Sequence, residues 1–176
     1  MTFFQNLETE AARRGLRFIV IGGHAVIEHG FQRGTEDADI LVSKAKREEW
    51  IECVTSLGYR LGHDGVTFLQ FDPADPAAWE LDLMLVPDEA FGRLLSRARP
   101  ATLENASVVV PCLEHLIALK VHALKNGRGL RVLKDITDVA QLLQLNRVDM
   151  QTDWVKNVFE KYGSTELYEQ VVKLVS

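Results

Sequence analysis

Two aspartates one residue apart, Asp37 and Asp39, constrain what this chain can fold into more than any other feature of its sequence. They open a run, residues 37–42, that is otherwise apolar. Side chains alternate between the faces of a β-strand, so both carboxylates would share one face while Ile40 and Val42 point into a core. Two carboxylates held together repel unless a cation lies between them, and hard oxygen ligands suit Mg²⁺. The spacing therefore predicts a strand with a Mg²⁺ site on one face.

A glycine pair, Gly22 and Gly23, precedes these acids in the chain. It follows residues 16–21, a run that is apolar apart from Arg17 and typical of a buried strand, and it precedes a short predicted helix at 24–29. Glycine lets the backbone approach a phosphate closely. The glycine turn and the acid pair together predict a site for a metal-bound nucleoside triphosphate.

Composition narrows the class of protein. The chain has 176 residues, 47% of them hydrophobic, and a net charge of -5, which argues against a basic surface for duplex DNA. No apolar run approaches about 18 residues, so we expect no membrane span. The N-terminal residues do not resemble a signal peptide. The two cysteines, Cys53 and Cys112, form no metal or disulfide pattern. We expect a cytoplasmic protein.

Periodicity and turn residues predict the other elements. The predicted helices are at 3–14, 44–57, 88–97, 112–125, 131–145, 151–161 and 165–175, and the predicted strands are at 59–61, 66–71, 79–85 and 106–110. A turn is predicted at His63-Asp64-Gly65 and a loop at 71–76. We predict an α/β (α+β) fold. Residues 1–110 form a small mixed sheet with flanking helices, and residues 111–176 form a C-terminal helical bundle packed on that core.

The predicted strand at 79–85 places Glu80 and Asp82 on one face. Lys120 falls within the apolar stripe of its predicted helix. That stripe consists of Leu113, Leu116, Ile117, Val121 and Leu124. A lysine in such a stripe must either extend to solvent or meet a negative partner, and a triphosphate is one such partner.

A basic strip follows in the sequence. Residues 111–134 contain five Lys or Arg and one acid, Glu114, which gives a local net charge of +4. The basic members are Lys120, Lys125, Arg128, Arg131 and Lys134. This strip suits a triphosphate or an RNA end. The alternative is an ordinary solvated helix face, in which Lys134 pairs with Asp138 one turn later.

These motifs resemble the polymerase-β-type nucleotidyltransferase superfamily. The resemblance is carried by Gly22-Gly23, by Arg33-Gly34-Thr35-Glu36-Asp37-Ala38-Asp39 and by Asp82 on a later strand. A second motif is similar to the AbiEii-like and related uncharacterised bacterial branch. It comprises Leu113 to Lys120, then Arg128, Arg131 and Lys134-Asp135-Ile136-Thr137-Asp138. The chain has Gly23 where the superfamily often has a phosphate-contacting serine, so backbone amides would hold more of the phosphate.

The resemblance implies a catalytic and metal-binding set of Asp37, Asp39 and Asp82, with two Mg²⁺ ions. Asp82 would be a metal ligand or the base that accepts the nucleophile's proton, and Glu80 is the alternative to it. The implied nucleotide-binding residues are Gly22, Gly23, Arg33, Thr35, Lys120 and Lys134.

The implied function is Mg²⁺-dependent transfer of a nucleoside monophosphate from an NTP to a hydroxyl. The acceptor would be a tRNA 3′ end, a protein or a small molecule. AbiEii-like relatives act as toxins, so an antitoxin protein is an expected partner. Two alternatives stay open: a catalytically silent binding module or antitoxin, and an enzyme that modifies antibiotics such as aminoglycosides or lincosamides.

Overall fold

The computed structural model describes residues 1–75, 78–126 and 130–175 of the chain. Two compact units are present. The sheet unit comprises Met1–Ala25 and Gly34–Pro111, and the helical unit comprises Val26–Arg33 and Cys112–Ser176.

A five-stranded mixed sheet forms the centre of the sheet unit. Its strands are β1 (Phe18–Val20), β2 (Asp37–Ser43), β3 (Tyr59–Asp64), β4 (Phe68–Pro73) and β5 (Glu80–Val86). They lie in the order β1-β2-β5-β4-β3, in which the β2–β5 pair is parallel and the other pairs are antiparallel. The predicted mixed α/β class is confirmed.

Helices and a separate hairpin complete this unit. They are α1 (Phe3–Arg13), α2 (Gly22–Glu28), which continues into the helical unit, the 3₁₀ turn Lys44–Lys46, α3 (Arg47–Ser56), α4 (Asp88–Ser96), β6 (Arg99–Leu103) and β7 (Ala106–Val110). A capping box starts α1, since the Thr2 hydroxyl accepts from the Gln5 backbone and the Gln5 side chain accepts from the Thr2 backbone. Alternate residues of the central strands are fully buried, among them Ile40 and Leu83.

The structure differs from the predicted elements at four places. Strand β4 runs to Pro73, so the first three residues of the predicted loop at 71–76 are strand. Helix α2 begins at Gly22, so the glycine pair lies inside its first turn and not before it. Strand β3 continues through the predicted turn at residues 63–65 as far as Asp64, because a register shift after Leu61 keeps it paired with β4. Strand β6 was not predicted. It contains Pro100, which is tolerated at the edge of a two-stranded hairpin.

Four helices form the bulk of the helical unit. They are α5 (Leu113–Asn126), α6 (Leu130–Leu145), α7 (Asp153–Tyr162) and α8 (Thr165–Val175). Their buried faces include Leu116, Val139, Phe159 and Val171. The segment 26–33 is tied to the end of α6, because the Asn146 amide donates to the His29 carbonyl at 3.1 Å. None of the described helices is both long and apolar enough to span a bilayer.

Candidate metal and nucleotide site

Three carboxylates come together on one face of the sheet. Asp37 and Asp39 lie on β2, and Asp82 lies on the parallel neighbour β5, directly opposite Asp39 in the register. One oxygen from each residue lies within 4.8 Å of the others. The Asp82 residue is 7% exposed. Ile40, on the opposite face of β2, is fully buried. The alternation predicted for residues 37–42 is confirmed. We call these three residues the carboxylate triad.

The triad fits a divalent metal of the Mg²⁺ class. Mg²⁺ takes oxygen ligands at about 2.0–2.1 Å, so two ligands of one ion lie at most about 4.2 Å apart. Separations within 4.8 Å therefore need only small side-chain rotations to share an ion. Glu80 lies on the same face, opposite Asp37, but it is exposed and is not one of the three clustered residues. The clustered acid on β5 is Asp82.

Gly22 has a structural reason to be glycine that the sequence did not reveal. Its φ is +61°, a conformation that other residues rarely adopt. A Cβ atom placed there would lie 1.8 Å from Oδ2 of Asp39. The neighbouring Ile21 N–H donates to the Asp39 carbonyl at 2.9 Å, which fixes the two segments side by side. The Asp39 carboxylate therefore occupies the space that a side chain at position 22 would need.

Thr35 contacts one member of the triad. Its hydroxyl is 3.1 Å from Oδ1 of Asp37 and 3.2 Å from the carbonyl of the same residue. A hydroxyl that donates to a carboxylate restricts the rotation of that carboxylate. Thr35 thus orients Asp37 directly, and the nucleotide contact implied by the resemblance stays a prediction.

A second cluster of charges lies inside the helical unit. Arg33 Nη2 donates to Asp138 Oδ2 at 2.9 Å, and Arg33 Nε is 2.8 Å from Oδ1 of the same carboxylate. Lys120 Nζ is 2.8 Å from both Asp135 and Asp138. The Asp138 side chain is 1% exposed and the Lys120 side chain 11%. We call these four residues the buried ion-pair network.

Two of the residues predicted to bind nucleotide, Arg33 and Lys120, belong to the buried ion-pair network. Lys120 meets negative partners, which is one of the two outcomes that its place in an apolar stripe required. Nucleotide contact by Arg33 and Lys120 stays a prediction. Each of these side chains already contacts a carboxylate in the structure. Lys134 is exposed on α6, and its contact with nucleotide also stays a prediction. Arg128 lies outside the described residues, and the side chain of Arg131 is not described.

A cavity of about 530 Å³ adjoins the triad within the sheet unit. It is lined by Glu36, Asp37, Pro73, Ala78 and Glu80. Three of these five residues are acidic, and Asp37 belongs to both the cavity and the triad. The cavity therefore offers a negatively charged space next to the clustered carboxylates.

Comparison with known proteins gives one family and several similar folds. Residues 4–176 match the model of a family described as "Uncharacterised nucleotidyltransferase". No curated protein matches the sequence.

Among solved structures, the antibiotic-resistance factor ANT(2'')-Ia is similar with a TM-score of 0.65 and 16% identity, over 94% of each chain. Its complex with adenylyl-2''-tobramycin gives a TM-score of 0.63 and 16% identity, over 98% of this chain and 96% of that one. An antigenic nucleotidyltransferase-like protein from Paracoccidioides brasiliensis gives 0.58 and 14%, over 98% and 89%. At these identities the likeness establishes the fold.

Proposed function

Because the chain belongs to a family of uncharacterised nucleotidyltransferases, we propose that it transfers a nucleoside monophosphate from an NTP to a hydroxyl in a Mg²⁺-dependent reaction. The observation that carries this proposal is the carboxylate triad, with its oxygens within 4.8 Å of one another. Three like charges at this separation are costly in isolation, and a divalent cation removes that cost.

Asp37 and Asp39 would hold the metal, and Asp82 would either complete the ligand set or take the proton of the attacking hydroxyl. Bound Mg²⁺ would neutralise the charge of the triphosphate and lower the pKa of the hydroxyl. The acceptor oxygen forms a bond to the α-phosphorus, the bond to pyrophosphate breaks, and the hydroxyl proton passes to Asp82 or, if Asp82 is a metal ligand, to water. The backbone at Gly22 and Gly23 contacts the phosphates.

The proposed function includes four side chains that would help to bind the nucleotide, and their surroundings differ. They are Arg33, Thr35, Lys120 and Lys134. Thr35 acts through Asp37, which it contacts. Lys134 is exposed and able to meet a phosphate. Arg33 and Lys120 would have to share their charge between phosphate and Asp138, which makes them the weakest members of the set.

The acceptor is the second part of the proposal. The cavity beside the triad carries Glu36, Asp37 and Glu80, and such a lining attracts a cationic molecule. This favours an amine-bearing small molecule, and with it the antibiotic-modifying alternative. The basic strip favours an RNA end, and the AbiEii-like motif favours a toxin with an antitoxin partner. A catalytically silent module is the alternative that needs no acceptor.

Label transfer tests the proposal. Each α-³²P NTP is incubated with Mg²⁺, the protein and one of three acceptors: total tRNA, lysate proteins or tobramycin. We expect label in one acceptor, and its loss in the Asp37→Ala/Asp39→Ala variant. Glu89→Gln is the matched control, because it removes an exposed carboxylate on α4 that lies outside the triad and the cavity. Absence of label from every acceptor would contradict the proposed transfer and favour the silent module.

A further inference from the structure

A row of polar side chains extends from the triad across the sheet. In the strand register, Asp39 lies opposite Asp82, Asp82 lies opposite Gln70, and Gln70 lies opposite His63. Residues directly opposite each other in an antiparallel pair share a face, with Cβ atoms about 4.5–5.5 Å apart. Gln70 on β4 is therefore the neighbour of Asp82 on the side away from Asp39.

The side chain of Gln70 is available to a substrate. It is partly exposed, and its amide donates to Glu80 Oε2 at 3.4 Å. This bond uses one of the two N–H donors of the amide. The other donor and the carbonyl oxygen suit a hydroxyl, which both donates and accepts. His63, the next member of the row, is exposed on β3.

The two sides of the triad differ in the chemical groups that adjoin them. On the β1 side, the backbone of Gly22 lies against the Asp39 carboxylate, where the proposed function puts the phosphates. In phosphoryl transfer the attacking and leaving oxygens lie roughly in line through the phosphorus. With pyrophosphate leaving on the glycine side, the hydroxyl must approach from the opposite side. That side is the one on which Asp82 adjoins Gln70.

We propose that Gln70 binds the acceptor and positions its hydroxyl beside Asp82, and that acceptors enter along β4 and β3. This inference rests on the proposed function and deepens it, because it assigns the acceptor side of the site. Gln70 is a residue that neither the motifs nor the resemblance indicated. Its effect should appear in the Michaelis constant for the acceptor and not in that for the NTP.

The test uses Gln70→Leu, which keeps the size of the side chain and removes its hydrogen bonds. Gln151→Leu is the matched control, since it makes the same change at an exposed position of the helical unit. The acceptor probe is whichever of total tRNA, lysate protein and tobramycin takes label from the wild type. Gln70→Glu is a second variant of nearly equal shape, and circular dichroism checks that each variant is folded.

We expect Gln70→Leu to raise the KM for the acceptor by about tenfold, with the KM for NTP within about twofold of wild type. Gln70→Glu should also raise the KM for the acceptor, because a carboxylate cannot donate a hydrogen bond to the acceptor hydroxyl. A KM for the acceptor that is unchanged in folded Gln70→Leu would overturn the inference and leave the proposed function intact. No label from the wild type into any probe would overturn both.

Discussion

The two units each contain a cluster of charged side chains, and the clusters are built in opposite ways. The buried ion-pair network in the helical unit combines two cations with two carboxylates, so its formal charges cancel within contacts of 2.8–2.9 Å. The carboxylate triad in the sheet unit gathers three negative groups within 4.8 Å. The network balances its own charges, whereas the triad concentrates charges of one sign, which a bound cation can neutralise.

This difference separates structural charge from functional charge. Buried ion pairs are weak contributors to net stability, but the loss of one partner leaves an uncompensated charge and is strongly destabilising. Clustered like charges cost stability and persist where a ligand uses them. The comparison predicts opposite effects when one carboxylate is removed from each cluster.

The largest effect is expected on activity. Asp39→Asn should lower nucleotidyl transfer by about 10³-fold, because it removes the charge of a proposed metal ligand while keeping the shape of the side chain. Transfer of α-³²P label per folded molecule measures this. The same assay on Glu89→Gln, at an exposed position of α4, should give a rate close to wild type. An equal loss in both variants would show that the triad acts no differently from an ordinary acidic surface.

The next effect is on folding. Asp138→Ala should destabilise the protein by about 3–5 kcal/mol, because Arg33 and Lys120 are left buried beside a missing carboxylate. Urea unfolding followed by circular dichroism measures the change in the free energy of unfolding. Glu160→Ala, at an exposed position on α7, serves as the control. A decrease in the free energy of unfolding of less than about 1 kcal/mol would show that the network contributes no more than a surface ion pair.

A backbone substitution tests how the triad is accommodated. Gly22→Ala should lower transfer by about 100-fold, since its Cβ would lie 1.8 Å from the Asp39 carboxylate and must displace it. Gly30→Ala provides the control for backbone strain, because Gly30 also has a positive φ but a Cβ added there would meet no heavy atom within 4 Å. Equal activity in the two variants would contradict a steric role for Gly22.

The smallest expected effect is a gain in stability, opposite in sign to the loss expected for Asp138→Ala. In metal-free buffer, Asp82→Asn should stabilise the protein by about 1 kcal/mol, because it removes one of three mutually repelling charges. Differential scanning calorimetry in the presence of a chelator measures the shift in melting temperature. If the melting temperature falls instead, other contacts of the Asp82 carboxylate outweigh the repulsion within the triad, and the contrast between the two clusters weakens.

Local patterns predicted the part of the site that lies within single strands. The alternation along residues 37–42 placed Asp37 and Asp39 on one face, since that relation depends on strand geometry alone. Asp82 followed from the same alternation together with the family resemblance. The class of fold and the order of most elements were predictable for the same reason.

Contacts between distant segments were not predictable. The Arg33–Asp138 pair joins residues 105 positions apart, and local patterns in a single sequence contain no signal for such a pair. The packing of Gly22 against Asp39 depends on how β1 and β2 are placed side by side. Gln70 becomes a neighbour of Asp82 only through the β4–β5 register. These relations are properties of the tertiary fold.

Metal binding tests the central claim most directly. Electron paramagnetic resonance counts Mn²⁺ bound to the folded wild type, to Asp39→Asn and to Glu80→Gln, with no nucleotide present. The carboxylate triad predicts bound Mn²⁺ in wild type and in Glu80→Gln, and its loss in Asp39→Asn. Equal Mn²⁺ binding by all three proteins, or none by the wild type, would contradict the assignment of the triad as the metal site.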